Sequence, residues 1–384
     1  MGVKGIYNLI RKTCPEQIGE VDMRDLAGYK VAVDVSIYLY RSVRSCGVQR
    51  WLDSFISFVC DLKRFRIHPI YIFDGPNPPP EKRTEQNRRR AQLTRQLDRL
   101  AKAERLYEIL MREYVPFYRE PSPKLKEEAQ TLLYRSTFKN KVEYLDAISI
   151  TNALRDKIEC WKNQTVHISP MFAEKAKDVL TLLGLPHLQA DGEAETLCSF
   201  LGINGHVDAV LSDDTDVLAY GTPLVFSNIT RNPGRGVVTV RAVIHADLCK
   251  GLEMTPFEFK DLCILLGCDY NQRAKMPGKK PCTRLSVGEV RAYALIEEYR
   301  CLEKIGPFLI DPLVLKYPRC RDLFTVPVDP SLDSIKFSYA RPISETEFFG
   351  FMADNHCRLS HDFIRNIWSP LVNPLFAKST RQET

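Results

Sequence analysis

Three short apolar runs in this chain end in an acidic residue, and they constrain its fold more than any other feature. They are Lys30-Val31-Ala32-Val33-Asp34, Pro69-Ile70-Tyr71-Ile72-Phe73-Asp74 and Val207-Asp208-Ala209-Val210-Leu211-Ser212-Asp213-Asp214. Pro223-Leu224-Val225-Phe226-Ser227 is a fourth apolar run. Their apolar residues are continuous rather than alternating, as in strands covered on both faces. Segments with helical spacing lie between them, including Trp51 to Arg64 and Phe172 to Leu183. This alternation predicts an α/β fold, with a mostly parallel central sheet flanked by helices. Such sheets bind ligands beyond the carboxyl ends of their strands. Asp34, Asp74 and Asp214 all fall there.

The alternation breaks from Pro76 to about Gln164. Pro76-Asn77-Pro78-Pro79-Pro80 is a stiff, non-helical lead-in. A helical segment follows to about Tyr114 and stops near Val115-Pro116, with Leu93, Leu97, Leu100 and Tyr107 as its apolar residues. Pro121-Ser122-Pro123 marks a turn, and helix resumes at Lys124. We read the segment as a helical insertion above the sheet. From Glu81 to Lys124 there are 12 Lys or Arg against 7 Asp or Glu, nearly all of the chain's net charge of +6. A local basic excess suits a polyanion, although a solvated helix face gives the same count. Further on, Pro256 to Gly267 reads as a helix with a glycine stop. Lys275 to Arg284 reads as a basic loop, and Ser286 to Tyr299 as helix.

Several classes are excluded. No run of about 18 apolar residues exists, so no membrane span is expected. The first residues lack the apolar stretch of a secretory signal. The 12 cysteines include no C-x-x-C pair and suit reduced thiols in an intracellular protein. His356, Cys357 and His361 cluster but lack the fourth ligand of structural zinc.

The acids form an ordered set. Glu193 and Glu195 lie in Asp191-Gly192-Glu193-Ala194-Glu195, at the entry to a helix. Asp214 and Asp216 follow a strand, and Asp269 lies just past a helix end in Gly267-Cys268-Asp269-Tyr270. Any one alone is ordinarily a turn, cap or dipole-compensating residue. Acids at i and i+2 do not share a face of a regular helix, so each pair converges only where the chain enters one. Mg²⁺ takes hard oxygen ligands and retains waters. Two such ions about 4 Å apart can clamp the attacking and leaving oxygens of a phosphodiester.

These residues carry a resemblance. Met1-Gly2-Val3-Lys4-Gly5-Ile6, Val33-Asp34-Val35-Ser36, Ile72-Phe73-Asp74-Gly75, Gly192-Glu193-Ala194-Glu195 and Leu265-Leu266-Gly267-Cys268-Asp269-Tyr270 resemble, in order and rough spacing, the flap endonuclease family. This is the branch of structure-specific nucleases that includes the XPG repair nucleases and 5′ exonucleases. The resemblance runs from residue 1 to about 300. It implies two Mg²⁺ ions, with Mn²⁺ as a substitute. One would be held mainly by Asp34, Asp74, Glu193 and Glu195, the other near Asp214, Asp216 and Asp269. Asp213 is left out by register.

The resemblance also implies a basic pair from the arch at the scissile phosphate. Lys82 and Arg89 are chosen, with Arg88 and Arg90 one residue away; seven residues are about two helical turns. It implies base stacking by Tyr40, a close approach to substrate at Gly2, and phosphate contacts at Arg44, Arg88, Gly288 and Arg291. A buried core role for Tyr40 is the alternative. The implied activity is 5′-flap cleavage with 5′→3′ exonuclease action on branched DNA, in replication, repair or recombination. An exoribonuclease, a junction resolvase and a non-catalytic junction-binding scaffold are the other readings. The expected protein is a monomer, intracellular and nuclear or at a replication site.

The corresponding division is 1–75 and 166–270 for a PIN-like nuclease core, 76–165 for the arch, 271–305 for a helical hairpin that grips duplex, and 306–384 for a C-terminal helical region and tail. The sequence also departs from the family. Ser286-Val287-Gly288-Glu289-Val290 stands where the family carries a glycine-rich hairpin with a Pro-Lys, which grips duplex backbone, often with a bound potassium ion. The tail from Pro370 to Thr384 lacks a sliding-clamp motif.

Overall fold

The structure, a computed structural model, describes residues 2–133, 146–166, 169–232, 237–271, 275–277, 284–306, 315–326 and 344–368. The strands are β1 (Gly19–Asp22), β2 (Lys30–Asp34), β3 (His68–Phe73), β4 (His187–Gln189), β5 (Ala209–Leu211), β6 (Leu224–Asn232), β7 (Val237–Ile244), β8 (Lys275–Pro277) and β9 (Arg284–Ser286). The helices are α1 (Ile6–Thr13), α2 (Val35–Cys46), α3 (Trp51–Arg64), α4 (Arg83–Ile109), α5 (Pro123–Leu133), α6 (Ala147–Thr165), α7 (Pro170–Leu182), α8 (Ala194–Ile203), α9 (Asp216–Ala219), α10 (His245–Gly251), α11 (Pro256–Leu266), α12 (Glu289–Tyr299) and α13 (Leu302–Ile305). Helices Tyr317–Leu323, Glu345–Asp354 and His361–Trp368 follow.

The chain divides into two compact units. The first comprises Met1–Tyr40, Leu52–Glu85 and Pro170–Thr384, and the second Arg41–Trp51 and Gln86–Ser169.

The first unit holds a seven-stranded sheet in the order β1-β7-β6-β5-β2-β3-β4. Strands β4, β3, β2, β5 and β6 are mutually parallel. β7 runs antiparallel to β6, and β1 antiparallel to β7. The expected mostly parallel sheet is therefore present. After β2 the chain builds outward through β3 and β4, then returns to β2's other side with β5 and β6. The reversal opens a crevice at the carboxyl ends of β2 and β5, where such sheets take their ligands. The register pairs Val33 with Leu211 and so sets Asp34 beside Ser212. Ala32, Ile70, Ile72, Val210 and Val225 of the strands pack with Leu201 of α8 and Leu262 and Leu265 of α11 in one buried core.

The observed strands exceed those expected. β4 has only three residues and lies at the sheet edge, too short and too exposed to show an apolar run. β1 is the other edge and is half polar. β7, Val237-Val238-Thr239-Val240-Arg241-Ala242-Val243-Ile244, is a β-branched run that carries a strand signal in the sequence itself. Pro233–Gly236, in the turn before it, lie outside the described residues. Helix α12 starts at Glu289 rather than Ser286, because Ser286 ends β9 and Gly288 is its N-cap.

In the second unit, α4 gives way to a wide turn (Leu110–Tyr114) and a tight one (Val115–Phe117). Its core packs Leu100, Ala103, Leu106 and Leu110 against Ala129, Leu132, Ile150 and Leu154. The buried stripe is thus shifted from the expected one. Leu97 is exposed, and the small Ala103 holds a core position.

No described helix is long and apolar enough to cross a membrane. All described cysteines are free thiols.

Candidate metal and catalytic site

In the first unit, the carboxyl ends of β2, β3 and β5 and the ends of α8, α9 and α11 bring acids together. Asp34 closes β2 and is buried. Ser212 Oγ donates to its Oδ2 at 3.0 Å, while Oδ1 is buried with no hydrogen-bond partner. Ser212 Oγ also accepts from the Asp214 amide at 3.0 Å. Asp214 Oδ1 in turn accepts from the Asp216 amide at 3.1 Å. Asp216 opens α9, and both of its carboxylate oxygens are buried without a hydrogen-bond partner.

Asp74 follows β3 and is exposed. Ser36 Oγ donates to its Oδ2 at 2.5 Å, and the Ala194 amide donates to its Oδ1 at 3.0 Å. Asp74 therefore satisfies an orphan amide at the start of α8. Glu193 occupies the N-cap position but makes no capping bond with its own side chain. An ordinary capping role for Glu193 is thereby displaced. The Asp74 loop is pinned by the Gly75 amide, which donates to Gly192 O at 2.6 Å. Any Cβ at Gly75 would lie 2.0 Å from Ala190 O, so the close approach requires glycine.

Lys82 lies in the tight turn Pro80–Lys82, just before α4. Its ammonium pairs with Glu193 Oε1, and lies 3.3 Å from Glu195 Oε1 and 3.8 Å from Asp269 Oδ2. Because Lys82 precedes the helix, the same-face spacing argument with Arg89 does not apply to it. Arg319, in the helix Tyr317–Leu323, reaches Glu81 at 2.8 Å and ties this turn down. Tyr270 OH donates to Glu193 Oε2 at 2.7 Å.

The electrostatics follow from this gathering. Burial first, then Glu195, Asp74 and Asp214, push the Asp34 carboxyl well above its usual range. Burial and then Asp214 do the same for Asp216. Asp214 is also raised, by burial and then Asp269. Glu195 is pushed up to about 7 by burial, with Lys82 opposing the rise. Burial works to lower Lys82, but Glu195, Asp269, Asp214 and Asp216 outweigh it and hold the ammonium charged.

Such a cluster of buried anions demands positive charge. As the side chains stand, no three His, Cys, Asp or Glu residues among those described close on one point as a ready-made cage. The Lys82 ammonium bridges them instead. Still, the donor set suits Mg²⁺. It is all carboxylate oxygen, and Asp34 and Asp216 offer buried oxygens with no hydrogen to accept.

Two family models match the chain. The XPG N-terminal domain covers residues 1–95, and the XPG I-region covers residues 184–269. Flap endonuclease 1 of Drosophila yakuba is 30% identical over 362 residues, spanning 90% of this chain and 79% of that protein. The chain belongs to the flap endonuclease family. It is a nuclease, a hydrolase of phosphodiester bonds. Solved structures share the fold. Flap endonuclease-1 from Methanococcus jannaschii matches with a TM-score of 0.59 at 20% identity, covering 94% of this chain and 97% of that one. The catalytic core of Rad2 in complex with DNA substrate matches with a TM-score of 0.58 at 18% identity, covering 96% and 100%.

The seven acids expected from the sequence all lie in the first unit, and six of them are buried; Asp74 is the exposed one. Asp213, left out by register, accepts from the Asn228 amide at 2.6 Å. Gly2 has a left-handed φ of +75°, and a Cβ there would lie 2.1 Å from Asp214 Oδ1. The residue it must make room for is thus a member of the acid cluster itself. Tyr40 is 42% exposed, so a buried core role does not apply. Arg44, Arg88 and Arg89 belong to the second unit; Arg44 and Arg88 are exposed and Arg89 is half-buried. Gly288 has open space where a Cβ would stand, and Arg291 is exposed one turn further along α12. Ser36, Ser212 and Tyr270 also contact the acids directly, beyond the residues expected from the sequence. Ser36 and Tyr270 sit in the Val33-Asp34-Val35-Ser36 and Leu265-Leu266-Gly267-Cys268-Asp269-Tyr270 motifs, which carry their signal.

Proposed function

We propose that the chain is a 5′-flap endonuclease with accompanying 5′→3′ exonuclease action on nicked or gapped duplex DNA. The supporting observation is the carboxylate cluster, in which the buried Asp34 Oδ1 and both Asp216 oxygens lack any hydrogen-bond donor. Asp34, Asp74, Glu193 and Glu195 would hold one Mg²⁺, and Asp214, Asp216 and Asp269 a second, with Mn²⁺ accepted as a substitute. Bound there, the ions supply a nucleophile at neutral pH and charge for the leaving oxygen. Ser36, Ser212 and the Ala194 amide hold individual carboxylate oxygens in place for that task.

Lys82 is the chain's own cation at the site. Released from the carboxylates, its ammonium offers charge to the transferring phosphate. Arg89 is the second such group, and Arg88 and Arg44 position backbone phosphates. Tyr40 presents an exposed ring to a base, a sequence-independent contact. Gly288 and Arg291, at the start of α12, contact duplex backbone. The excess charge between Glu81 and Lys124 draws in the single strand, with strong salt dependence. The functional division follows the core, arch and hairpin segments expected from the sequence. The enzyme acts as a monomer wherever DNA is replicated or repaired, the nucleus in a eukaryote.

A cleavage panel tests this. Double flap, nick, bubble and four-way junction substrates are incubated with Mg²⁺ and with chelator, alongside matched RNA flaps. The flap and nick should be cut to leave 5′-phosphates, in Mg²⁺ only. Preferred cutting of the junction, or of the RNA flap, would replace the flap assignment.

A further inference from the structure

Beneath the acids lies a chain of hydroxyls. Thr196 Oγ1 is 2.7 Å from Tyr220 OH, Tyr220 OH is 3.0 Å from Tyr270 OH, and Tyr270 OH is 2.7 Å from Glu193 Oε2. Both tyrosines are buried. Each hydroxyl carries one hydrogen, which fixes the direction. Tyr270 donates to the Glu193 carboxylate. Tyr220 must then donate to Tyr270, and Thr196 to Tyr220. A chain polarised in one sense strengthens its terminal bond.

The members come from three segments that carry acids. Thr196 is next to Glu195 on α8. Tyr220 directly follows α9, which Asp216 opens. Tyr270 is next to Asp269. Phe324 packs against both rings, with centroids 5.3 Å from Tyr220 and 5.2 Å from Tyr270. Lys260 Nζ donates to Phe324 O at 3.0 Å and holds that residue in place.

We infer that Tyr270, backed by Tyr220 and Thr196, is a positioning residue that fixes the Glu193 carboxylate for cation binding and ties the three acid-bearing segments together. By occupying Oε2, Tyr270 leaves Oε1, the oxygen now paired with Lys82, to face the cation. Outer-sphere donors of this kind typically change metal affinity by about 10- to 100-fold. The inference rests on the assignment of Glu193 as a metal ligand.

The test uses the full chain without DNA. Mn²⁺ affinity is read by the paramagnetic resonance of free Mn²⁺, and thermal melting in chelator is measured beside it. Tyr270→Phe should weaken Mn²⁺ binding by about 10- to 100-fold. Tyr220→Phe should weaken it less, since Tyr270 still reaches Glu193. The Mg²⁺ concentration that half-saturates cleavage should rise in the same order. Unchanged Mn²⁺ affinity in Tyr270→Phe, with a clear loss in Glu193→Gln, overturns the positioning role alone. Equal losses in both tyrosine variants that track their melting temperatures also overturn it, because that is a packing effect. No loss in Glu193→Gln overturns the ligand assignment beneath it. If Tyr270→Phe does not fold, the intermediate loss in Tyr220→Phe at unchanged melting temperature carries the test.

Discussion

Glu193 stands where an acid ordinarily caps a helix, yet Asp74 satisfies that helix from a neighbouring strand end. Glu193 is then available to Lys82 and Tyr270. Residue-level chemistry of this kind separates a functional acid from a structural one. Glu195 gives it a measurable form. Its carboxyl is raised from 4.5 to about 7 in the folded protein. A raised acid binds more protons folded than unfolded between those values, so its favourable contribution is complete below about 4.5 and is lost as pH rises through about 7. The chelated protein should therefore melt at falling temperature across that window, and Glu195→Gln should flatten the fall. Added Mg²⁺ should restore more stability at pH 8 than at pH 5. A melting temperature insensitive to both pH and Mg²⁺ would speak against a strained acid cluster. The seven acids were legible in the sequence because strand ends and helix entries punctuate it. Lys82 was legible as a cation of the site, but its pairing with Glu193 and Glu195 was not. Nor was the contact of Tyr220 with Tyr270, since aromatic residues carry no periodic mark of where a fold will bring them.

At the scale of elements, α11 shows how a helix delivers a site residue. Thr255 and Glu258 form a reciprocal capping box at its start, with Thr255 N donating to Glu258 Oε2 at 2.7 Å. Gly267 ends it with a positive φ of 90°, and its carbonyl accepts from the Lys4 amide at 2.9 Å. Asp269 follows two residues on. Thr255→Ala should cost about 1 kcal/mol in denaturant unfolding and leave kcat unchanged. A parallel loss of cleavage would mean that the start of α11, and not only its end, sets the position of Asp269. Helix α11 and strands β2, β3 and β5 were readable from continuous apolar runs and a glycine stop. Strands β1 and β4 were not, since an edge strand is held by backbone pairing to one neighbour and needs no apolar signature. In the second unit, the shift of the buried stripe from Leu97 to Ala103 has a similar cause. Close helix packing selects a small residue that a count of large apolar side chains overlooks.

For the whole molecule, the doubly built sheet matters most. Its strand order reverses between β2 and β5, and this converts acids far apart in sequence into one cluster. Asp34 and Asp214 are separated by 180 positions, yet Ser212 contacts both. The parallel sheet was predictable from the alternation of runs and helices. The depth of the cluster was not, because it depends on how α8, α9 and α11 close over the strand ends. The most direct test of the central claim is Asp214→Ala, assayed for both flap cleavage and flap binding in Mg²⁺. Cleavage should disappear while binding to the branched substrate is largely retained. Cleavage at the wild-type rate would contradict the assignment of these acids to cation-dependent chemistry.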